Sequence, residues 1–71
     1  MDTIPSTLGS RLRAARLAAG LQREHLAVAA GVTVVTVWRV EKGRQRARAE
    51  HVACWARLLD VDLADLIGGG Q

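Results

Sequence analysis

Nine of the ten basic side chains in this chain are arginines, and nine of the ten fall between positions 11 and 48. A guanidinium grips a phosphate or the edge of a guanine through two parallel hydrogen bonds, where an ammonium offers a point charge. Against Arg11, Arg13, Arg16, Arg23, Arg39, Lys42, Arg44, Arg46 and Arg48 this segment sets only Glu24 and Glu41, a net charge of +7. The remainder, Arg57 against Asp2, Glu50, Asp60, Asp62 and Asp65, carries −4, so the overall +3 conceals one basic and one acidic end. A basic end suits a polyanion such as nucleic acid, although a basic run is equally the make-up of a solvated face. Catalysis has no comparable support. His25, His51 and Cys54 lack the spacing of metal ligands or of a nucleophile with its base, and no glycine-rich phosphate loop occurs. An enzyme, a metal and a cofactor are all unexpected.

Arginines recognise a surface only when a rigid element aims them, and residues 23–42 supply one. They read as two short helices joined by a tight turn. Ala27 is small where the helices cross, Gly31 can take the positive φ of a reversal, and Leu26, Ala30, Val32, Val37 and Val40 fall on the inner faces. The second of these helices is expected over about 33–42 with Thr33 as its cap. Its β-branched residues, Val34, Val35, Thr36, Val37 and Val40, favour a strand by propensity. Strict alternation fails, however, whereas Val37, Val40 and Glu41 share a face at helical spacing. On a helical wheel Thr33, Val37 and Val40 point inward, Val35, Trp38, Arg39 and Lys42 point outward, and Val34 lies at the border.

The rest of the chain frames that unit. Residues 1–7 read as a flexible N-terminal arm ending near Pro5, with Ser6 or Thr7 capping a helix over 8–19 and Gly20 stopping it. Leu8, Leu12, Ala15 and Ala19 form its apolar stripe; Arg11 and Arg13 lie off it, in solvent. Arg16 sits beside the stripe, and it either pairs with Glu41 or lays its stem over the core and reaches water. The helix over 23–30 has Gln22 as an indifferent cap and Glu24 well placed in its first turn; Arg23 opposes the dipole there unless a phosphate binds. His25 is expected in solvent, without chemistry. After Gly43, Arg44, Arg46 and Arg48 alternate in a loop whose extended form would put them on one side. A fourth helix over 49–59 should bury Val52, Trp55, Ala56 and Leu59, leaving Cys54 and Arg57 outward. Asp62 should cap a fifth through Ile67, with Leu63, Leu66 and Ile67 as its apolar contacts, and residues 68–71 form a disordered tail.

Seventy-one residues are expected to make one domain, at 8–67, with a modest core of leucine, valine and alanine, since phenylalanine and tyrosine are absent. A single cysteine excludes an internal disulfide and fits a reducing compartment. The N-terminus shows no signal-peptide pattern and no apolar run approaches about 18 residues, so a cytoplasmic protein without membrane contact is expected.

Residues 8–67 resemble the five-helix DNA-binding domain of the lambdoid phage repressor and Cro proteins, the xenobiotic-response-element class of helix-turn-helix regulators. The resemblance rests on Leu8-Gly9-Ser10-Arg11-Leu12 with Arg16, Gly20-Leu21, Leu26-Ala27, Gly31-Val32, Val37 with Arg39-Val40-Glu41-Lys42-Gly43, and Ala56 with Leu59-Asp60-Val61. It implies a compact all-α lambda-repressor-like fold and a sequence-specific regulator of transcription that binds double-stranded DNA, with no small-molecule ligand. In that family the positions matching Arg16 and Glu41 form a buried salt bridge, and the position matching Arg23 contacts phosphate. Those matching Thr33, Val34, Val35, Trp38 and Arg39 face the major groove, while the loop after Gly43 follows the backbone, making Lys42, Arg44, Arg46 and Arg48 phosphate contacts.

The chain departs from the family pattern at Gln22, where Ser or Thr is usual; at Ala47, where proline is common; and at Val34, Val35 and Trp38, where polar readers are common. Arg39 is left as the strong hydrogen-bonding reader, suited to O6 and N7 of a guanine, with Val35 and Val34 against thymine methyl groups or merely on the surface. Trp38 packs on sugar-phosphate, folds back on the basic loop, or docks on another protein. The last option, joined with Val35, defines the rival reading of a protein-interaction module on the same fold. A homodimer on an inverted repeat is expected, and Leu58, Val61 and Leu63 either form its interface or close the monomer core.

Overall fold

A core without phenylalanine or tyrosine closes only where helices approach closely. The computed structural model describes residues 8–68, which form five helices and no strand: α1 (Leu8–Ala18), α2 (Arg23–Ala30), α3 (Val34–Glu41), α4 (Ala49–Leu59) and α5 (Leu63–Ile67). The arm expected at 1–7, with its caps Ser6 and Thr7, lies outside the described residues, as does the tail beyond Gly68. α2 packs on α3 and α4, α1 packs on α3 and α5, and α5 returns to α4. Among the described residues no helix is long and apolar enough to cross a membrane.

Leu12, Leu26, Val37 and Trp55 are fully buried at the centre, surrounded by Ala27, Val40, Val52, Ala56, Leu59 and Leu66. Trp55 also satisfies its polar edge, donating from Nε1 to Leu26 O at 2.9 Å. Burying an aliphatic side chain contributes about 1.5–3 kcal/mol, while a β-branched residue costs a helix up to about 0.7 kcal/mol. Burial of Val37 and Val40 together contributes about 3–6 kcal/mol, which offsets the up to about 3.5 kcal/mol that the five β-branched residues of α3 cost the helix. Its start is secured by Thr33, whose Oγ1 accepts from Thr36 N at 3.1 Å.

The α2–α3 turn is closed at Gly31, which adopts φ +71°, and Val32 N donates to Ala27 O at 3.0 Å. Several details depart from the periodic reading. α1 ends at Ala18, so Ala19 falls outside the stripe and is exposed. Thr33 is exposed, not inward: as the N-cap its backbone is extended (φ −88°, ψ 160°), and a helical wheel does not apply to it. Arg11 is half-buried, its guanidinium lying beside Gly68, whereas Arg13 is exposed. Cys54 is half-buried, with Arg57 Nη2 donating to its Sγ at 3.6 Å. Of the three apolar contacts expected in α5, Leu63, Leu66 and Ile67, only Leu66 is buried, because a helix of five residues turns just one position fully inward. Asp62 occupies the N-cap of α5 without a side-chain cap; its carbonyl accepts from Asp65 N instead.

Candidate nucleic-acid interface

The orientation of α3 is set at its C-terminal end, where α1 crosses it. Gly9 in α1 is buried there; a Cβ on it would collide with the carbonyl oxygen of Val40 and lie 2.7 Å from that of Glu41. This close approach brings Arg16 to Glu41. Arg16 Nε donates to Glu41 Oε2 at 2.7 Å and Nη2 to Oε1 at 3.1 Å, while Nη1 donates to Leu21 O at 3.1 Å. The two side chains are 8% and 0% exposed. Desolvation offsets most of the attraction in such a pair, so its effect is chiefly to fix geometry: a tilted α3 would leave two ions unpaired in the core. Among the described residues no buried side-chain nitrogen or oxygen lacks a partner.

Glu41 serves a second arginine. Arg23, at the first turn of α2, donates from Nε to Glu41 Oε1 at 3.0 Å, with its side chain 31% exposed. One carboxylate thus holds two guanidiniums from two helices, and the cluster keeps a net positive charge beside the start of α2. Arg23 was expected as a phosphate contact alone, and its tie to Glu41 lay beyond sequence reach. His25, expected in solvent without chemistry, accepts at Nδ1 from Gln22 N at 2.9 Å and so compensates for the weak cap. Its place three residues past Gln22 was the available signal. Gly9 was detectable too, since a glycine inside a helical pattern with no capping duty marks a close approach.

Opposite Val37, Val40 and Glu41, α3 turns Val34 (37% exposed), Val35 (54%) and Arg39 to solvent. Thr33 stands at the head of this face, its hydroxyl engaged with Thr36. Trp38 is half-buried instead of outward. Lys42 Nζ lies 5.9 Å and Arg44 Cζ 5.3 Å from its ring centroid, so the ring folds back under the start of the basic loop. Gly43, at φ +73°, produces that return. The three loop arginines have three surroundings: Arg44 covers Trp38, Arg46 borders a groove with Leu8, Gly9 and Ala47, and Arg48 Nη1 lies 3.8 Å from Glu50 Oε2. The extended, one-sided row expected of them is replaced by a turn followed by a segment that Ala47 anchors on the core.

At the acidic end Leu58, Leu63 and Ile67 are exposed, whereas Val61 packs against the core. Asp60 joins α4 to α5 in the left-handed region at φ 57°.

A family model described as a helix-turn-helix domain matches residues 7–66. Among solved structures, the restriction-modification controller protein C.AhdI from Aeromonas hydrophila is similar, with a TM-score of 0.77 and 33% identity over 84% of this chain and 91% of that one. The P22 c2 repressor protein, solved in complex with synthetic operator 9T in the presence of Tl+, has a TM-score of 0.80 over 89% of this chain and 96% of its own. At 22% identity that likeness is one of fold. No curated protein matches in sequence.

Proposed function

Since the chain belongs to the helix-turn-helix family, we propose that it is a sequence-specific regulator of transcription that binds double-stranded DNA with α3 in the major groove. The observation that carries this reading is the two-sided character of α3. Val37, Val40 and Glu41 are buried on one side, while Val35 and Arg39 stand in solvent on the other, with Lys42 and Arg44 exposed at the end of the helix over Trp38. Arg39 bonds O6 and N7 of a guanine, and Val35, with Val34 beside it, meets thymine methyl groups. Thr33 lies at the groove-facing end of the helix. Arg23, Lys42, Arg44, Arg46 and Arg48 neutralise phosphates.

Five such contacts per protomer give a salt slope of about −4.5, so a fourfold rise in salt weakens binding about 500-fold. A mobility-shift titration at two salt concentrations tests this, and absence of any retardation at low salt would sink the proposal. The C.AhdI controller and the P22 c2 repressor, the latter solved on operator DNA, support the same reading. The rival, a protein-docking patch made of Val35 and Trp38, is disfavoured because Lys42 and Arg44 cover the Trp38 ring.

The working unit on DNA is a homodimer on an inverted repeat, with half-sites about 34 Å apart or a multiple of that. A domain measuring 33 × 23 × 23 Å fits that spacing with copies in contact. Leu58 and Leu63, with Val61 behind them, form the dimer surface at the acidic end, and sedimentation with Leu58→Glu tests it by the loss of the dimer. The cytoplasm, where DNA and a reduced Cys54 coincide, is the proposed location.

A further inference from the structure

We infer that Trp38 is a positioning residue for the DNA backbone, holding Lys42 and Arg44 as a pre-formed phosphate clamp at the end of α3, and that it reads no base. This rests on the DNA-binding function proposed above and goes beyond it by assigning the clamp. Two cations reach one ring, Lys42 Nζ at 5.9 Å and Arg44 Cζ at 5.3 Å from its centroid, both within the roughly 6 Å at which an aromatic face attracts a cation. Their convergence is built into the backbone. Gly43 adopts φ +73° with its N–H on Val40 O at 3.0 Å, and Arg44 N donates to Arg39 O at 2.8 Å, which folds Arg44 back over the last turn of α3. A residue with a Cβ disfavours that conformation.

Among the described residues no carboxylate pairs with Lys42 or Arg44, in contrast to Arg16, Arg23 and Arg48. The ring therefore holds them without neutralising them. A phosphate approaches the side of each cation turned away from the ring, so both charges stay available while their side chains are already ordered. Ordering two long side chains before binding removes a cost that a free lysine and arginine would meet on contact. It also commits Trp38, which leaves recognition to Val35 and Arg39 on the neighbouring, exposed part of the helix.

The test is a fluorescence-anisotropy titration of labelled duplexes, one selected by the protein from a random pool and one scrambled. Wild type, Trp38→Ala, Trp38→Phe, Arg44→Ala and the Trp38→Ala/Arg44→Ala double variant are compared. Trp38→Ala is expected to weaken both duplexes about 3- to 10-fold, with their affinity ratio unchanged, and Trp38→Phe to lose less because an aromatic face remains. Arg44→Ala is expected to weaken wild type more than it weakens Trp38→Ala, a coupling that a purely structural tryptophan would not produce. A collapse of the affinity ratio in Trp38→Ala overturns the inference, because Trp38 would then read bases; unchanged affinity for both duplexes overturns it as well. If circular dichroism shows Trp38→Ala unfolded, Arg44→Ala against Arg46→Ala decides. A larger loss and an altered Trp38 emission in free Arg44→Ala are expected, Trp55 being fully buried. Equal losses with unchanged emission overturn the clamp. Wild type failing to bind either duplex at low salt refutes DNA binding itself, a result separate from every outcome at Trp38.

Discussion

Gly9→Ala sets two effects of opposite sign on one methyl group. On an open helix surface the substitution would stabilise, since glycine costs a helix interior about 0.8–1 kcal/mol relative to alanine. At this position the new Cβ meets the carbonyl oxygens of Val40 and Glu41 and comes within 3.0 Å of the Glu41 carbonyl carbon. These are backbone atoms at the end of α3 and cannot rotate away, so α1 must lift from α3 and strain the Arg16–Glu41 pair. Overpacking of this kind costs about 1–3 kcal/mol. Because Gly9 is only the second residue of α1, little of the propensity gain applies, and a net loss of about 1–2 kcal/mol is expected. At about 4–8 °C per kcal/mol for a domain of this size, Tm falls by about 4–16 °C. Urea and thermal melts followed by far-UV circular dichroism measure it. A variant as stable as wild type, or more so, would refute the close approach and with it the account of how α3 is oriented.

Glu41→Gln leaves Arg16 buried without its counter-ion and is expected to cost about 3–5 kcal/mol in urea denaturation. Replacing Arg16 by Met and Glu41 by Leu together should cost much less, and equal losses would contradict the desolvation argument. Thr33→Ala removes the Oγ1 that accepts from Thr36 N and should lower stability by about 1 kcal/mol, while Thr33→Ser keeps it; identical melts for the two variants would rule out the cap. Arg39→Ala should reduce discrimination between selected and scrambled duplexes by about 1–3 kcal/mol with little change on scrambled DNA. A uniform loss on both would reassign Arg39 to the backbone.

Much of the frame was legible because it is local. Ala27 at the crossing, Gly31 at the turn and the positions of Leu26, Val37 and Val40 depend on helical period and on one residue able to take a positive φ. Trp55 was assigned to the core by the same periodicity and lies fully buried there. Helical periodicity stops at the helix ends, short of Ala19 beyond α1 and of Thr33 before α3, because a wheel holds only for residues with helical φ and ψ. It also overfilled α5, whose five residues cannot turn three apolar side chains to one neighbour.

What the sequence by itself determined is the helix-turn-helix unit, the polarised charge and the face of α3 that carries Val35 and Arg39, all of which follow from spacing along one element. The tertiary structure alone decided which long side chains share a partner: Arg23 joins Arg16 on Glu41, and Lys42 joins Arg44 on Trp38. An arginine or lysine can reach several neighbours from one backbone position. The choice among them is made by how closely two helices cross and by which way the chain turns after Gly43, and neither is written in the period of a helix.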